Sequence, residues 1–439
     1  MSGEAQIDEF TPALEVRPLA RIAPADGPDR VGSVRWCANP MVEWLLTEGW
    51  SITVPADFLD KLVARMVASG MALSRVRLTI RTLHPQVIGT SYTWNRGTEG
   101  VDVFEPPHSI VQTDSFLKSP YAAIFEGAGA IRCRLDVPGS ELAYPVLDEL
   151  RAAGATDYVA LPIVFSDGKI NAITLTTDRA GGFTTEELTL VYEMLPVLAR
   201  LVEVHAAHHT ARTLLDTYLG AHTGEKVLDG LVKRGDGEDI HAVIWFCDLR
   251  ESTRLAESMP RAAFLGLLND FYDCMAGSIL DHGGEVLRFI GDAALAIFPI
   301  VEDDDAGTRE ICTRYDACRM ALAAAREAMA RIDSLNERRA DAGQPPIGFG
   351  IGLHIGDVTY GNIGVPQRLE FTVIGAAANE AARIESQTKA FGTPIVVSAE
   401  FARFFPGELA SLGRVRLSGV DADQELFTLP DFKASSRHA

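Results

Sequence analysis

The sequence of 439 residues predicts an α+β protein with two domains, of which the second has a βαββαβ core. The chain is longer than a single hydrophobic core normally supports. Runs of apolar residues with helical spacing also alternate with short β-rich runs, so no single period covers the chain. Apolar residues make up 47% of the sequence and charged residues 23%, a balance typical of globular proteins that excludes a disordered or collagen-like chain.

Charge and targeting signals restrict the partners and the compartment. A formal net charge of −20 argues against binding to nucleic acid or to anionic lipid, both of which select basic surfaces. The first ten residues lack the basic and apolar regions of a secretory signal, and no uncharged apolar run is long enough to span a membrane. Six cysteines without a CxxC pair favour reduced, packed thiols. We therefore expect a cytoplasmic protein without a membrane span.

Composition and pattern changes divide the chain into five segments. We predict a flexible leader at 1–38, an N-terminal α+β domain at 39–205, connecting helices and a linker at 206–237, a C-terminal domain at 238–430 and a tail at 431–439.

The N-terminal domain begins with a helix and ends with a hairpin and a second helix. Apolar residues from Phe58 to Val67 recur at helical spacing, and residues 75–81 then alternate as in a half-buried strand. The segments 158–165 and 170–176 are β-rich and are separated by a turn. In this order, and in the stretch YVALPIVFSDGKINAITLTT, the domain resembles a GAF-type sensory domain. A domain used only for dimerisation, a PAS-like domain and an unrelated domain are the alternatives.

The helix that leaves this domain carries two features of interest. Thr184 and Glu187 form a capping-box pattern, and the apolar stripe that follows could pair two chains. His205 and His209 could share one face of a helix and bind a metal ion, but no carboxylate or cysteine nearby completes a ligand set. We therefore interpret the histidines as part of a polar helix face.

The C-terminal domain opens with a strand, HAVIWFCD, that ends at Asp248. A helical segment with a break at Pro260 follows, and the strands EVLRFI and AALAIF then flank Gly291 and Asp292 as a tight hairpin. Alone, Asp248 could be a helix N-cap and Asp292 a turn residue. Together, two carboxylates at strand ends suggest a site for two Mg²⁺ or Mn²⁺ ions, with a helix N-terminus behind Asp248 for a triphosphate.

Four motifs in register over residues 240–430 resemble the class III adenylate and guanylate cyclases. They are FCDLREST, EVLRFIGDAALAIF, FGIGLHIGDVTYGNIG and RLEFTVIGAAANEAARIES. The resemblance implies a ferredoxin-like βαββαβ catalytic domain that converts a nucleoside triphosphate into a cyclic nucleotide. It also implies that Asp248 and Asp292 hold the two metal ions, and we add Leu249 to the metal site.

The resemblance also assigns residues to the substrate. Asn379 and Arg383 match the asparagine and arginine that act on the transition state in this family, and their i, i+4 spacing places them on one helix face. Taken alone, Asn379 could be a surface amide and Arg383 a partner of Glu380. We also assign Phe246 and Thr253 to substrate binding.

Two positions depart from the family pattern. Arg288 stands where a base-reading lysine is common, with Thr372 at the partner position. Because arginine only donates hydrogen bonds, Arg288 suits N1 of adenine and favours ATP over GTP. Arginine also pairs with O6 and N7 of guanine, however, so GTP stays an alternative. Arg288 could also be a charge on the strand surface without a role in base recognition. Ser418 replaces a common phosphate-binding lysine, and we assign that role to Arg416, with Arg414 as the alternative.

In the family, two catalytic domains associate head to tail, so one protomer would supply Asp248 and Asp292 and its partner Arg288, Thr372, Asn379 and Arg383. We therefore expect an adenylate cyclase homodimer that takes ATP and is regulated by a small-molecule or protein signal at the N-terminal domain. A guanylate cyclase and a catalytically silent nucleotide-binding module are the alternatives, while a GGDEF-type diguanylate cyclase is disfavoured because the hairpin reads FIGDAALAIF.

Overall fold

The computed structural model describes residues 39–137, 142–301, 312–419 and 422–432. The predicted leader, which includes Cys37, lies outside the described residues, as do residues 433–439 of the predicted tail. None of the helices in these ranges is both long enough and apolar enough to cross a membrane. The five cysteines within these ranges are all free thiols.

The N-terminal part of the chain is an α+β unit built on one antiparallel sheet. Two short 3-10 helices, Gly49–Ser51 and His108–Gln112, connect its longer elements. The helices and strands are α1 Pro40–Thr47, α2 Pro55–Ala68, β1 Arg75–Arg81, β2 Gly89–Asn95, β3 Val101–Phe104, α3 Asp114–Leu117, α4 Pro120–Phe125, β4 Ile131–Arg134, α5 Pro145–Ala152, β5 Asp157–Val164, β6 Ile170–Thr177 and α6 Thr185–Leu219. The six strands lie in the order β3-β2-β1-β6-β5-β4.

Both predicted N-terminal helices, the strand at 75–81 and the hairpin are present, and their side chains cover the sheet on two faces. Alternate residues of β1 point to opposite faces, so Val76, Leu78 and Ile80 enter the core beneath α1, α2 and α6. A second cluster around Ile124 and Leu147 joins α4 and α5 to the other face.

Helix α6 begins with the predicted capping box but continues beyond residue 205. The capping box is present, with the Thr184 hydroxyl accepting from the Glu187 amide at 3.1 Å. The helix then runs unbroken past Pro196 to Leu219, so the boundary predicted between residues 205 and 206 falls inside it. Gly220, with φ of +89°, is the first residue that ends the helix.

The apolar stripe of α6 does not face outward as a chain-pairing surface would require. Leu188, Val191, Leu198 and Val202 are buried in the core of their own domain, because α1, α2 and the sheet cover that side of the helix. The stripe is therefore an internal packing surface.

The C-terminal part contains an eight-stranded sheet with the predicted βαββαβ order. Its last element is a 3-10 helix, Pro430–Phe432. The others, after the short helix α7 Ala221–Leu228, are β7 Gly237–Leu249, α8 Ser252–Ser258, α9 Arg261–Asp281, β8 Glu285–Ile290, β9 Ala293–Pro299, α10 Arg314–Asp341, β10 Phe349–Val365, β11 Arg368–Ile374, α11 Ala376–Phe391, β12 Ile395–Ser398, α12 Ala399–Ala402, β13 Ala410–Val415 and β14 Gln424–Thr428.

Strand β7 is central, because β10 and β9 pair with it on either side in the order β13-β14-β12-β10-β7-β9-β8. This position explains its continuous apolar run, since both of its faces are buried. Val243, Trp245 and Cys247 pack under α9 and α10, whereas Ala242 and Ile244 pack against β11 and α11 on the opposite face. Asp248 therefore lies at the end of the central strand of the sheet.

Helix α11 lies unusually close to β10 because glycines remove side chains from the contact. A Cβ atom on Gly352 would lie 2.5 Å from both the Ala381 carbonyl oxygen and the Glu385 amide nitrogen. A Cβ atom on Gly356 would lie 2.8 Å from the Ala377 Cβ. The glycine spacing in FGIGLHIGD thus fixes how α11 lies on the sheet.

We expect Gly352→Ala to lower the free energy of unfolding by about 2–3 kcal/mol, because backbone atoms of α11 must move away. Gly266→Ala is the control, since Gly266 is an exposed α9 residue with nothing within 4 Å of an added Cβ. That change should instead raise stability by about 0.5–1 kcal/mol. Urea-induced unfolding followed by circular dichroism measures both, and equal effects of the two substitutions would contradict the packing argument.

Candidate active site

The two carboxylates predicted at the strand ends lie together. Asp248 is the penultimate residue of β7 and is paired in the ladder with Ala293, the residue after Asp292. The Leu249 amide donates to the Asp292 carbonyl oxygen at 3.2 Å, which holds the β8–β9 turn against the end of β7. As a result, the Asp248 and Asp292 carboxyl groups lie within hydrogen-bonding reach of each other.

Asp292 is a turn residue, as one sequence alternative proposed, but Asp248 is not a helix N-cap. Asp292 occupies the tip of the turn between β8 and β9, where Gly291 adopts a φ of +67°. Asp248 is not a helix N-cap, because Glu251 occupies that position in front of α8. Glu251 itself has a φ of +56°, a left-handed conformation that is uncommon for glutamate and that turns the chain sharply from β7 into α8.

Negative charge accumulates around Asp248. Burial, followed by the nearby Asp292 and Glu385 carboxylates, raises the pKa of Asp248 to about 7. Glu385 of α11 is itself buried, and burial raises its pKa, although Arg250 lies 3.3 Å from its carboxylate. A divalent cation would stabilise the ionised form of Asp248, which its burial and its acidic neighbours disfavour.

Asp248 and Asp292 are the two carboxylates available to an ion, and the described residues contain no group of three or more histidine, cysteine or acidic side chains arranged to hold a metal ion. Asp248 and Asp292 supply the hard oxygen ligands that Mg²⁺ and Mn²⁺ prefer. The Leu249 side chain is only 1% exposed, so this residue could offer an ion only its backbone carbonyl. The donor set therefore fits cations that take their remaining ligands from substrate and water.

The predicted transition-state residues lie on α11. Asn379 is exposed and Arg383 is half-buried, one turn apart on this helix. The guanidinium of Arg383 lies beside the loop after β13, since a Cβ on Gly419 would be 3.2 Å from its Nη2. Glu380 pairs instead with His354, at 3.6 Å, so the alternative that Arg383 is neutralised by Glu380 is wrong. Arg383 has no ion-pair partner among the described residues.

The loop beside Arg383 also contains Arg416, which is assigned to phosphate, and Ser418, which replaces the common phosphate-binding lysine. Arg416 and Ser418 are both exposed there. Thr253 is exposed in the first turn of α8, close in sequence to Asp248, and Phe246 is half-buried on β7. Arg416 therefore lies on the loop whose Gly419 is beside Arg383, and Thr253 lies on the helix that follows Asp248 in the chain.

The predicted base-reading residues form a third group. Arg288 of β8 donates through Nη1 to the Glu370 carboxylate of β11 at 2.9 Å, so it is not a lone surface charge. Thr372 lies two residues after Glu370 on β11 but is only 1% exposed, and its hydroxyl has no hydrogen-bond partner among the described residues. In this conformation a base could contact Arg288 but not Thr372.

The sequence analysis missed Glu370, Arg250 and Glu385. Glu370 is 82 residues from Arg288 in the sequence, and no periodicity links the two. The glycine spacing of β10 was the available signal for Glu385, because Gly350 leaves the space in which Glu385 and Arg250 meet. These three residues set the charge around the predicted site residues.

The two histidines considered as metal ligands have another role. His205 packs edge-on against Phe58 with ring centroids 5.2 Å apart, and burial lowers its pKa. His205 therefore belongs to the contact between α6 and α2.

We expect Asp248→Asn to stabilise the metal-free protein at pH 8 and to leave its stability unchanged near pH 4. The folded state raises the pKa of Asp248 above its unfolded value, so the stability penalty is absent below about pH 4 and grows as the pH rises towards 7. Because Asp248 is partly exposed, the gain at pH 8 should be about 1–2 kcal/mol.

Urea-induced unfolding in EDTA at both pH values measures this difference. Asp273→Asn, at an exposed α9 position, is the control and should show no pH-dependent gain. A loss of stability in Asp248→Asn at pH 8 would show that the carboxylates do not repel each other.

Comparisons with known proteins concern the same part of the chain. Residues 238–429 match the model of a family described as the adenylate and guanylate cyclase catalytic domain. An adenylate cyclase of Anabaena cylindrica is 36% identical over 164 residues, which cover 36% of this chain and 30% of that protein. An uncharacterized protein of Mycobacterium tuberculosis is 34% identical over 184 residues, covering 41% of this chain and 31% of that protein. The chain thus spans about a third of the length of these relatives.

Two solved structures are also similar. The adenylyl cyclase CyaB from P. aeruginosa is 23% identical with a TM-score of 0.39, covering 44% of this chain and 95% of that chain. The guanylyl cyclase Cya2 is 28% identical with a TM-score of 0.38, covering 44% of this chain and 93% of that chain. The family match and the curated relatives support a class III adenylate/guanylate cyclase catalytic domain in residues 238–429.

Proposed function

We propose that the protein is an adenylate cyclase that converts ATP to 3′,5′-cyclic AMP and pyrophosphate. The observation that carries the proposal is the Asp248–Asp292 pair at adjoining strand ends, within the segment that matches the cyclase family. Asp248, Asp292 and the Leu249 carbonyl would hold two Mg²⁺ or Mn²⁺ ions. When bound, such ions supply neutralisation of the triphosphate charge and a lower pKa for the ribose 3′-hydroxyl.

In the proposed reaction the ribose 3′-oxygen forms a bond to the α-phosphorus while the bond to the bridging oxygen breaks and pyrophosphate leaves. Arg383 has no ion-pair partner among the described residues, and its guanidinium would stabilise the charge that develops on the α-phosphoryl group. Asn379, one helical turn away, would hold the ribose so that the attack is in line. Arg416 and Thr253 would bind the triphosphate.

We propose that the active form is a two-fold homodimer with two sites shared between protomers. One protomer would supply Asp248 and Asp292, and its partner would supply Arg288, Asn379 and Arg383. The close contact between α11 and β10 supports this proposal, because it holds Asn379 and Arg383 at a fixed position for a second chain.

We further propose that an N-terminal sensory domain of the GAF type regulates catalysis through α6 and α7. The Thr223 hydroxyl of α7 lies 2.6 Å from the Tyr360 hydroxyl of β10 and 3.0 Å from the Glu285 carboxylate of β8. Both strands belong to the catalytic sheet, and β8 also carries Arg288. A movement of α7 would therefore reach the base-reading residues directly.

A guanylate cyclase and a silent nucleotide-binding module are the competing functions. The Arg288–Glu370 ion pair is the observation in their favour, because it engages part of the guanidinium that would read adenine and places a carboxylate acceptor beside it. A carboxylate can accept from N1 and N2 of guanine, whereas adenine offers no donor at N1.

Product analysis separates the three functions. We expect the purified protein with Mn²⁺ to convert ATP to cyclic AMP and to convert GTP at least about tenfold more slowly, since the free donors of Arg288 suit N1 of adenine. Mass spectrometry identifies the products. Cyclic GMP as the main product would identify a guanylate cyclase, and ATP binding without any product would identify a silent module.

Mixing two inactive variants tests the shared site. Asp248→Ala and Arg383→Ala should each lose activity, because both sites of the pure variant dimer then lack one essential side chain. In a homodimer with shared sites, mixing them after subunit exchange should restore about a quarter of the wild-type activity, since half of the dimers then contain one intact site. A mixture of Asp248→Ala with Asp292→Ala is the control and should stay inactive. No recovery in the first mixture would place each site within one protomer.

A further inference from the structure

The N-terminal domain contains a cavity that the proposed reaction does not use. Its volume is about 320 Å³, within the size range of small-molecule sites. Strands β1 and β2 form one wall, on the face of the sheet opposite α2 and α6, and α3, α4 and the start of α5 form the other.

Two arginines of β1 line this cavity. Residues 77 and 81 alternate with the core residues of the strand, so they point to the cavity face. The Arg77 guanidinium lies 6.0 Å from the ring centre of Phe104 and 5.7 Å from that of Tyr121, and the Arg81 guanidinium lies 5.1 Å from that of Phe125. The aromatic rings hold both cations in place.

Arg77 is half-buried and lacks the partners that such an arginine normally has, whereas Arg81 is exposed. Neither Arg77 nor Arg81 forms an ion pair with any described residue, and the buried Nε of Arg77 has no hydrogen-bond acceptor there. Lys118 also lines the cavity and is paired with Asp114 at 2.7 Å, and Glu149, the carboxylate among the described lining residues, is exposed. A half-buried guanidinium without a hydrogen-bond acceptor destabilises the protein unless a bound anion accepts its hydrogen bonds. The cavity wall is therefore positively charged, although the whole chain has a formal net charge of −20.

The rest of the lining is apolar. Ile88, Pro106, Ile110 and Phe116 surround the space between the two arginines and α3. Thr79 and Ser91 add hydroxyl groups that already bond to each other at 3.0 Å. The cavity wall therefore offers guanidinium donors to an acidic group and hydrocarbon contacts to the remainder of a ligand.

We propose that this cavity binds an amphipathic organic anion, with a carboxylate, sulfonate or phosphate group on Arg77 and Arg81 and an aromatic or aliphatic body against the apolar lining. The inference concerns binding at the N-terminal domain and does not depend on the nucleotide chemistry of residues 238–429.

Paired fluorescent probes test the proposal. The anion 8-anilinonaphthalene-1-sulfonate and the neutral N-phenyl-1-naphthylamine share an arylamine body and differ in the sulfonate. We expect the full-length protein to bind the anion saturably and at least about tenfold more tightly than the neutral probe. Only the anion has a sulfonate that accepts charge-assisted hydrogen bonds from the guanidinium groups. Equal affinity for the two probes, or no saturable binding of the anion, would overturn the proposal.

Three variants locate the site. Arg77→Met and Arg81→Met should each weaken binding of the anion about tenfold or more and leave the affinity for the neutral probe within about twofold. Arg65→Met, at an exposed α2 position outside the cavity, is the matched control and should bind both probes as the wild type does. Wild-type affinity for the anion in Arg81→Met would overturn the proposal. Because Arg81 is exposed, this variant decides the question even where Arg77→Met does not fold.

Discussion

The C-terminal part of this chain is organised around two carboxylates that the sheet holds close enough to repel each other. Asp248 and Asp292 sit at the ends of adjoining strands, and their backbones are joined through the Leu249 amide, so neither side chain can move far from the other. Their proximity and partial burial disfavour ionisation of Asp248 in the metal-free fold. The proposed function uses this instability, because divalent cations would relieve it and would also bring the triphosphate to the strand ends.

The rest of the domain fixes the groups that must meet the nucleotide. The glycines of β10 let α11 lie against the strand, which sets the position of Asn379 and Arg383. Arg250 and Glu385 pair beneath Gly350 and connect α11 to the end of β7, so the aspartates and α11 belong to one packed unit. Preorganisation of this kind is what a reaction governed by positioning and charge requires.

Site residues could be predicted from the sequence where a local pattern, such as a strand end or a glycine turn, marks their position. Asp248 could be predicted because a continuous apolar strand ends there, and Asp292 because a glycine turn separates two β-rich runs. The Arg288–Glu370 pair could not be predicted, since it joins strands that only the fold brings together. Helix α6 continues across the predicted boundary at 205/206 because no helix-ending residue occurs before Gly220, and the α6 stripe was misread because periodicity shows that a face is apolar but not what covers it. The alternation of arginines in β1 predicted a half-buried strand, yet it gave no sign of the cavity that α3 and α4 complete.

Counting bound Mn²⁺ by electron paramagnetic resonance, with 3′-deoxy-ATP as a nucleotide that cannot cyclise, tests the central claim most directly. The account predicts two ions per site in the wild-type protein, and at most the one that accompanies the nucleotide in the double variant Asp248→Asn, Asp292→Asn. Wild-type occupancy in the double variant would contradict the account, because the cations would then be held elsewhere.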